Sequence, residues 1–317
     1  MSYPLSIIPL SIKKVYIKKT CIVILGPTAV GKTGLGIQIA QYFSTEIISA
    51  DSRQCFKELN IGVAKPSPEQ LQLIPHHFIN SHSINEDMNA AVFENYALQK
   101  TAEIFAMHDI AVMVGGTGLY IKAFCEGLDE IPAIVPAVKE KIIAGYEAKG
   151  MDWLQQELQK NDPDYYRIGE TKNPHRLLRA LEVKLSTGRS IISFQKKEKI
   201  ERDFDIIKIG LELPREELYK RVTGRVDKML EDGLLKEIEL LHPHKNLNAL
   251  QTVGYKELFS YLEGAITLTE AITGIKQNTR HYAKRQMTWF KKDKETIWCT
   301  PEYRQLIKLV KSLTYDV

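Results

Sequence analysis

The run GPTAVGKT, Gly26 to Thr33, is the part of this chain whose residue types and spacing point most directly to chemistry. It fits GxxxxGK[ST], a loop whose backbone amides close around phosphate oxygens. Gly26 and Gly31 let the backbone curl, Pro27, Thr28, Ala29 and Val30 form the turn between them, Lys32 adds a full charge, and Thr33 offers a hydroxyl able to ligate Mg²⁺. The positive end of the helix that follows adds to the attraction. A phosphorylated ligand is implied, but the loop alone does not say which.

In proteins that split nucleotides with such a loop, an acidic residue after an apolar strand helps hold the metal. The best late strand here, Ile110 to Val114, instead runs into Gly115, Gly116, Thr117 and Gly118. That counts against an ordinary ATPase. Asp51, closing the run Glu46 to Ala50, is the strand-end carboxylate on the face where open parallel sheets bind ligands. It can serve as a general base, as an acid near a metal, or only as a cap for the residues after it. The run VGGTGLY from Val114 is open in the same way: its small residues let backbone or Thr117 approach a ligand, or they make a tight turn. Arg215, Arg221 and Arg225 follow the fourth strand and are candidates to neutralise a leaving group, although Glu216 or Glu217 could pair with Arg221 at helical spacing.

Charge narrows the partner. The chain has 43 basic and 39 acidic residues, a net charge of +4, too small by itself to imply a polyanion. Its distribution is less even. Lys276, Arg280 and Lys284 are spaced by four and form a stripe on one helix face, with Arg285, Lys291, Lys292 and Lys294 nearby and Tyr282, Trp289 and Phe290 interleaved. Such a stripe fits an RNA backbone and unstacked bases, or is a solvated helix face. A second cluster comprises Lys172, Arg176, Arg179, Lys184 and Arg189. The four cysteines lie far apart with no CxxC pair, so neither a zinc site nor a disulfide framework is suggested and a reducing compartment fits. His76, His77, His242 and His244 lack further ligands at a recognised metal spacing.

The elements that must position these residues follow from apolar periodicity. Thr20 to Leu25, Glu46 to Ala50, Ile110 to Val114 and Asp205 to Leu213 read as strands, with Thr296 to Thr300 as a last one. Helices follow the glycine loop, cover 91–107, and extend from Pro214 to about Leu241. Strands alternating with helices indicate a parallel sheet covered on both faces. Between 126 and 203 no strand run appears, and 136–149, 151–160 and 174–187 have helical spacing. Residues 20–125 and 204–317 are therefore expected to form a discontinuous core, 126–203 a helical insertion, and 1–19 a weakly ordered extension.

In this order the motifs resemble those of the tRNA dimethylallyltransferases. GPTAVGKT is followed by SADSRQ from Ser49, GVAKPS from Gly62, PHHFIN from Pro75, VGGTGLYIKA from Val114, NPHRLLRALEV from Asn173, RVDKMLEDGL from Arg225, QTVGYKE from Gln251 and TRHYAKRQMTWFK from Thr279. The resemblance spans about residues 20 to 299. The family more often has DPQR where Asn173 to Arg176 read NPHR, aspartate at Asn80, and AIGY where Thr252 to Tyr255 read TVGY. These departures concern RNA contacts and surface positions more than the chemistry. The zinc finger of eukaryotic members has no counterpart, so the resemblance is to the bacterial type.

The resemblance implies an α/β fold, a P-loop kinase-like core with a helical insertion gripping the anticodon arm. It further implies transfer of a dimethylallyl group from dimethylallyl diphosphate to the exocyclic amine of adenosine 37 of tRNA. Gly26 to Thr33 would hold the diphosphate, with Mg²⁺ on Thr33. Asp51 would be the base, Arg225 would stabilise the leaving group, and Thr117 would lie near the reacting amine. The implied tRNA contacts are Ser52, Arg53, Gln54, Lys139, His175, Arg176, Leu177, Leu178, Arg179, Gln251, Thr252, Val253, Gly254, Tyr255, Lys256, Arg280, Lys284, Arg285 and Gln286. A monomer in the cytoplasm is expected. No apolar run approaches the roughly 18 to 20 residues of a membrane span. The competing readings are a small-molecule or nucleotide kinase, which would turn over ATP, a transferase acting on free adenine nucleotides, which would not need the basic insertion, and a non-catalytic RNA-binding protein, which would not need Asp51 and Thr117 at strand ends.

Overall fold

The computed structural model describes residues 18–195 and 198–314. The expected extension, 1–19, lies outside them except for Lys18 and Lys19. The chain divides into two compact units, with boundaries at 125/126 and 201/202.

The first unit is built on six parallel strands in the order β3-β2-β4-β1-β5-β6. Its first half runs β1 (Thr20–Leu25), α1 (Lys32–Tyr42), β2 (Ile47–Ala50), α2 (Pro68–Leu73), β3 (His76–His77), α3 (Ala90–Met107), β4 (Ile110–Gly115) and α4 (Gly118–Glu126). β1 lies between β4 and β5, and all six of its residues are buried, as a continuous apolar run in a parallel sheet requires. Ile22 and Ile24 pack with Leu35, Ile39, Val112 and Ile209 in the main core cluster. Each such side chain contributes about 1.5–3 kcal/mol on full burial.

The second unit, 126–201, contains α5 (Pro136–Asn161), α6 (Pro163–Ile168) and α7 (Pro174–Thr187). Each helix opens on a proline, whose missing N–H costs nothing there. Gly150, at φ 75°, ψ −164°, breaks α5 between its two halves. Ile142, Leu154, Leu158, Leu177, Ala180 and Leu181 form its apolar centre. The unit closes two residues before the expected limit because Arg202 is anchored in the first unit. Its guanidinium donates to Ala123 O (2.8 Å) and Phe124 O (2.8 Å) and pairs with Glu94 (2.7 Å).

The first unit resumes with β5 (Asp205–Leu211), α8 (Arg215–Glu231), α9 (Leu234–Leu241), α10 (Tyr255–Leu262), α11 (Leu268–Phe290), β6 (Ile297–Cys299) and α12 (Tyr303–Thr314). The single helix expected from Pro214 to Leu241 is two, because Gly233 adopts φ 99° and starts a new axis. Among the described residues no helix is long and apolar enough to cross a membrane.

Candidate active site

Strand register gathers the chemistry. Leu25 and Ala50 both pair with Gly115, so the chain leaves β1, β2 and β4 side by side at the carboxyl ends of the strands. The phosphate loop, Asp51 and Gly116–Thr117 therefore emerge side by side. This close approach needs glycine: a Cβ on Gly115 would lie 2.2 Å from Ala50 O.

Gly26 (φ 147°), Ala29 (φ 65°) and Gly31 (φ 106°) curl the loop. Lys32 Nζ donates to Gly26 O (3.0 Å) and Pro27 O (2.7 Å), and Arg225 Nη1 on α8 donates to Thr28 Oγ1 (3.0 Å). Burial, and secondly the neighbouring Arg225, push the Lys32 ammonium down to about 7, while Asp51 opposes that shift. Burial also lowers Arg225 from its ordinary value. Two part-buried cations lining one cavity so close together are a site for a strongly anionic group. Of the other candidate arginines, Arg221 pairs with Glu217 (2.6 Å) and reaches Val30 O only at 3.5 Å, while Arg215 lies exposed over Tyr219.

Two cavities meet here. One of about 350 Å³ is lined by Thr28, Lys32, Thr33, Asp51, Gly116 and Arg225, among others. Its neighbour, about 230 Å³, is lined by Ser52, Arg53, Val226, Met229, Val253 and Thr279, among others. They share Thr28, Asp51, Val63, Ala64, Arg225 and Tyr282. Asp51 therefore stands on the wall common to the polar, phosphate-loop side and the more apolar side. Its Oδ1 accepts from Arg53 N (2.9 Å) and Gln54 N (3.2 Å), so the capping role read from the sequence is real. Those bonds fix the carboxylate's orientation and leave Oδ2 without a hydrogen-bond partner among the described residues. Thr117 Oγ1 accepts from Ser52 N (3.0 Å), which ties the glycine-rich turn to the residue after Asp51.

Of the other expected contacts, Ser52, Arg53, Thr252, Val253 and Gly254 line the second cavity, and Arg53 Nη1 also donates to Asn248 O (3.0 Å). Gln251, Lys256, Lys284 and Arg285 are exposed on the first unit, and Arg280 is part-buried there. Lys139, His175, Arg176 and Arg179 are exposed on the second unit, where Leu178 packs beside the apolar centre. Gln54 lines the first cavity while its amide also holds Val63 O and Ala64 O (3.2 and 3.0 Å).

Burial distinguishes three of the expected contacts from the rest. Leu177 is 0% exposed in the centre of its unit. Tyr255 is 0% exposed, donates its hydroxyl to Glu237 Oε1 (2.6 Å) and covers Gly62, where a Cβ would meet its ring at 2.6 Å. Gln286 is 7% exposed and its amide is bonded at both ends, to Thr28 N and Gly116 O. The side chains of Leu177 and Tyr255 face the interior, and that of Gln286 lines the first cavity. The basic stripe is also shorter than its spacing suggests, since Lys276 pairs with Asp227 (2.5 Å).

The sequence reading missed Glu237, whose carboxylate also accepts from Ile61 N (2.7 Å) and Gly62 N (3.1 Å) and so anchors the loop bearing Lys65. Lys65 lines the first cavity, and burial lowers it to about 8. The motif GVAKPS pointed to this loop but named no partner for it. Among the described residues no group of three or more His, Cys, Asp or Glu side chains could hold a metal. Thr33 and Asp51 do line the same cavity, a donor set that suits Mg²⁺ bound chiefly through substrate phosphates.

Residues 54–293 match the family described as IPP transferase. The chain is 51% identical over 275 residues to the tRNA dimethylallyltransferase of Christiangramia forsetii, covering 87% of this chain and 91% of that one. It is 45% identical to tRNA dimethylallyltransferase 1 of Bacteroides fragilis, covering 91% and 96%. Among solved structures, the tRNA isopentenylpyrophosphate transferase of Bacillus halodurans superposes with a TM-score of 0.68 at 33% identity, covering 93% of this chain and 95% of that one. A eukaryotic dimethylallyltransferase acting on tRNA superposes with a TM-score of 0.74 at 29% identity, covering 93% and 76%.

Proposed function

Because this chain belongs to the IPP transferase family of tRNA dimethylallyltransferases, we propose that it transfers the dimethylallyl group of dimethylallyl diphosphate to N6 of adenosine 37 in the tRNA anticodon loop. The products are N6-isopentenyladenosine and diphosphate. The observation that carries the site assignment is the position of Asp51, on the wall shared by the phosphate-loop cavity and its more apolar neighbour.

The target base leaves its stack to reach the second cavity, as bases must when chemistry is done on them. The diphosphate lies against the loop amides, Lys32 and Arg225. As N6 attacks the allylic carbon, the N–C bond forms and the C–O bond to the diphosphate breaks. Oδ2 of Asp51 accepts the N6 proton, its carboxylate already oriented by the amides of Arg53 and Gln54. Charge accumulating on the departing diphosphate is met by donors that need no reorganisation. Thr117 lies beside Asp51 through Ser52 and is placed to hydrogen-bond at the reacting centre. Thr33 would hold Mg²⁺ together with diphosphate oxygens, and a bound ion would further neutralise that group.

The anticodon arm is gripped by the exposed cations of the helical insertion and of α11. The phosphate loop, Asp51, Thr117 and Arg225 come from one chain, which supports a monomer as the active form, working in the cytoplasm. The test is incorporation of labelled dimethylallyl diphosphate into unmodified tRNA, with ATP hydrolysis followed in parallel. Label recovered as isopentenyladenosine from the anticodon loop is the expected result. No transfer, with ATP consumed on a small acceptor, would make the loop a kinase site.

A further inference from the structure

We propose that Gln286 is a positioning residue that sets the spacing between the diphosphate half and the acceptor half of the site; this rests on the transferase reading above. The buried face of α11 consists of Ala271, Ile275, Ala283, Gln286 and Phe290. Gln286 is the polar member of that set. A primary amide buried among apolar neighbours is costly unless its donors and acceptor are satisfied. Here Oε1 accepts from Thr28 N (2.8 Å) and Nε2 donates to Gly116 O (2.9 Å), and the amide also bonds the side chain of Tyr282, which lines the same cavity as Lys32, Asp51 and Arg225. The bonded groups belong to opposite halves of the reaction. Thr28 carries the hydroxyl bonded by Arg225, and Gly116 precedes Thr117, which is tied to Ser52 beside Asp51.

A second observation agrees. A Cβ on Gly116 would lie 2.4 Å from Gln286 Nε2, so this backbone position is kept bare where the amide arrives. Gln286 also sits next to Arg285 and two residues from Lys284, both exposed on the same helix. The side chain is therefore a strut of fixed length. Its acceptor end holds an amide of the phosphate loop, and its donor end holds the turn that carries Thr117. Reacting atoms must sit within a few tenths of an ångström of their productive separation, and a misplacement of about 1 Å costs on the order of 100-fold in rate. Gln286 also lines the phosphate-loop cavity, and it contributes to that separation by holding the two backbone segments that carry the reacting groups.

The experiment is steady-state kinetics of Gln286→Met and Gln286→Glu with dimethylallyl diphosphate and an unmodified anticodon stem-loop. Methionine keeps the volume and removes both bonds. The expected result is kcat lower by about 10- to 100-fold, with KM for each substrate within about threefold of the parent. Glutamate is the decisive second variant. Its carboxylate can accept from Thr28 N but cannot donate to Gly116 O, whereas its carboxylic acid can do both. The kcat of Gln286→Glu relative to the parent at the same pH should therefore rise as pH falls, while that ratio for Gln286→Met stays flat. A merely structural loss would not give that contrast. Methionine with parental kcat, a loss confined to KM, or a glutamate ratio independent of pH would each overturn the proposal. If the parent itself transfers no dimethylallyl group, it is the functional reading that has failed, and this proposal, which rests on it, falls with it.

Discussion

At the scale of single residues, the proposed site gathers part-buried charges around one cavity. Asp51 has one oxygen fixed by backbone amides and lies on both cavities. Asp51→Asn keeps the shape and most of the hydrogen bonding but cannot take a proton. It should lower kcat by about 10²- to 10⁴-fold and leave stem-loop affinity within about threefold. Single-turnover transfer and a filter-binding isotherm check both halves of that statement. Lys32 gives a pH signature. In the free protein it loses its proton near pH 7, and a bound diphosphate favours the charged form, which raises that value in the complex. Donor affinity should be level below pH 7 and weaken above it, by up to about tenfold per pH unit, with net proton uptake on binding at pH 8. Titration calorimetry in two buffers of different ionisation enthalpy measures the uptake, and Lys32→Met should abolish it.

Elements decide which motif residues can act. The phosphate loop was legible because a strand, the GxxxxGK[ST] spacing and a helix coincide, and Asp51 because it ends an apolar run. The expected RNA contacts follow from the resemblance as whole segments, which do not separate buried from exposed members. Within them, helical spacing separates inside from outside: Leu177, Ala180 and Leu181 share the buried face of α7, as Ala283, Gln286 and Phe290 share that of α11. Tyr255 was hidden for another reason, since its partner Glu237 and its neighbour Gly62 are distant in sequence and only the tertiary fold joins them. Tyr255→Phe should lower unfolding free energy by about 1–3 kcal/mol in urea melts, because Glu237 loses a buried donor. Stem-loop affinity should not change by more than about twofold. The split of α8 from α9 was missed because one glycine inside an amphipathic pattern does not interrupt its period, and α4 because its first turn is the glycine-rich run itself.

At the scale of the molecule, exposed cations cluster on both units, although residues 126–201 carry 13 basic and 13 acidic residues, so placement and not net charge would grip RNA. RNA affinity should fall steeply with salt, since each phosphate contact contributes about 0.7–0.9 to the log–log slope. Replacing Lys139 and Arg176 by alanine should each reduce the slope by about that amount. Arg179 and Lys276 should each give less, because Glu182 and Asp227 already pair with them. Equilibrium binding across a salt series measures these slopes, and a flat response in the parent would rule out a phosphate-led grip.

The Arg202 clasp has an evolutionary meaning. The chain leaves the sheet-bearing unit after Cys125 and re-enters it at a residue whose guanidinium bonds the carbonyls of Ala123 and Phe124. Exit and return are thus pinned together on the host, the arrangement in which a whole module can be gained, lengthened or exchanged without re-solving the packing around it. On the proposed function, selection could alter which RNA is grasped by rewriting one contiguous stretch of the gene, with the catalytic frame on either side of it inherited unchanged.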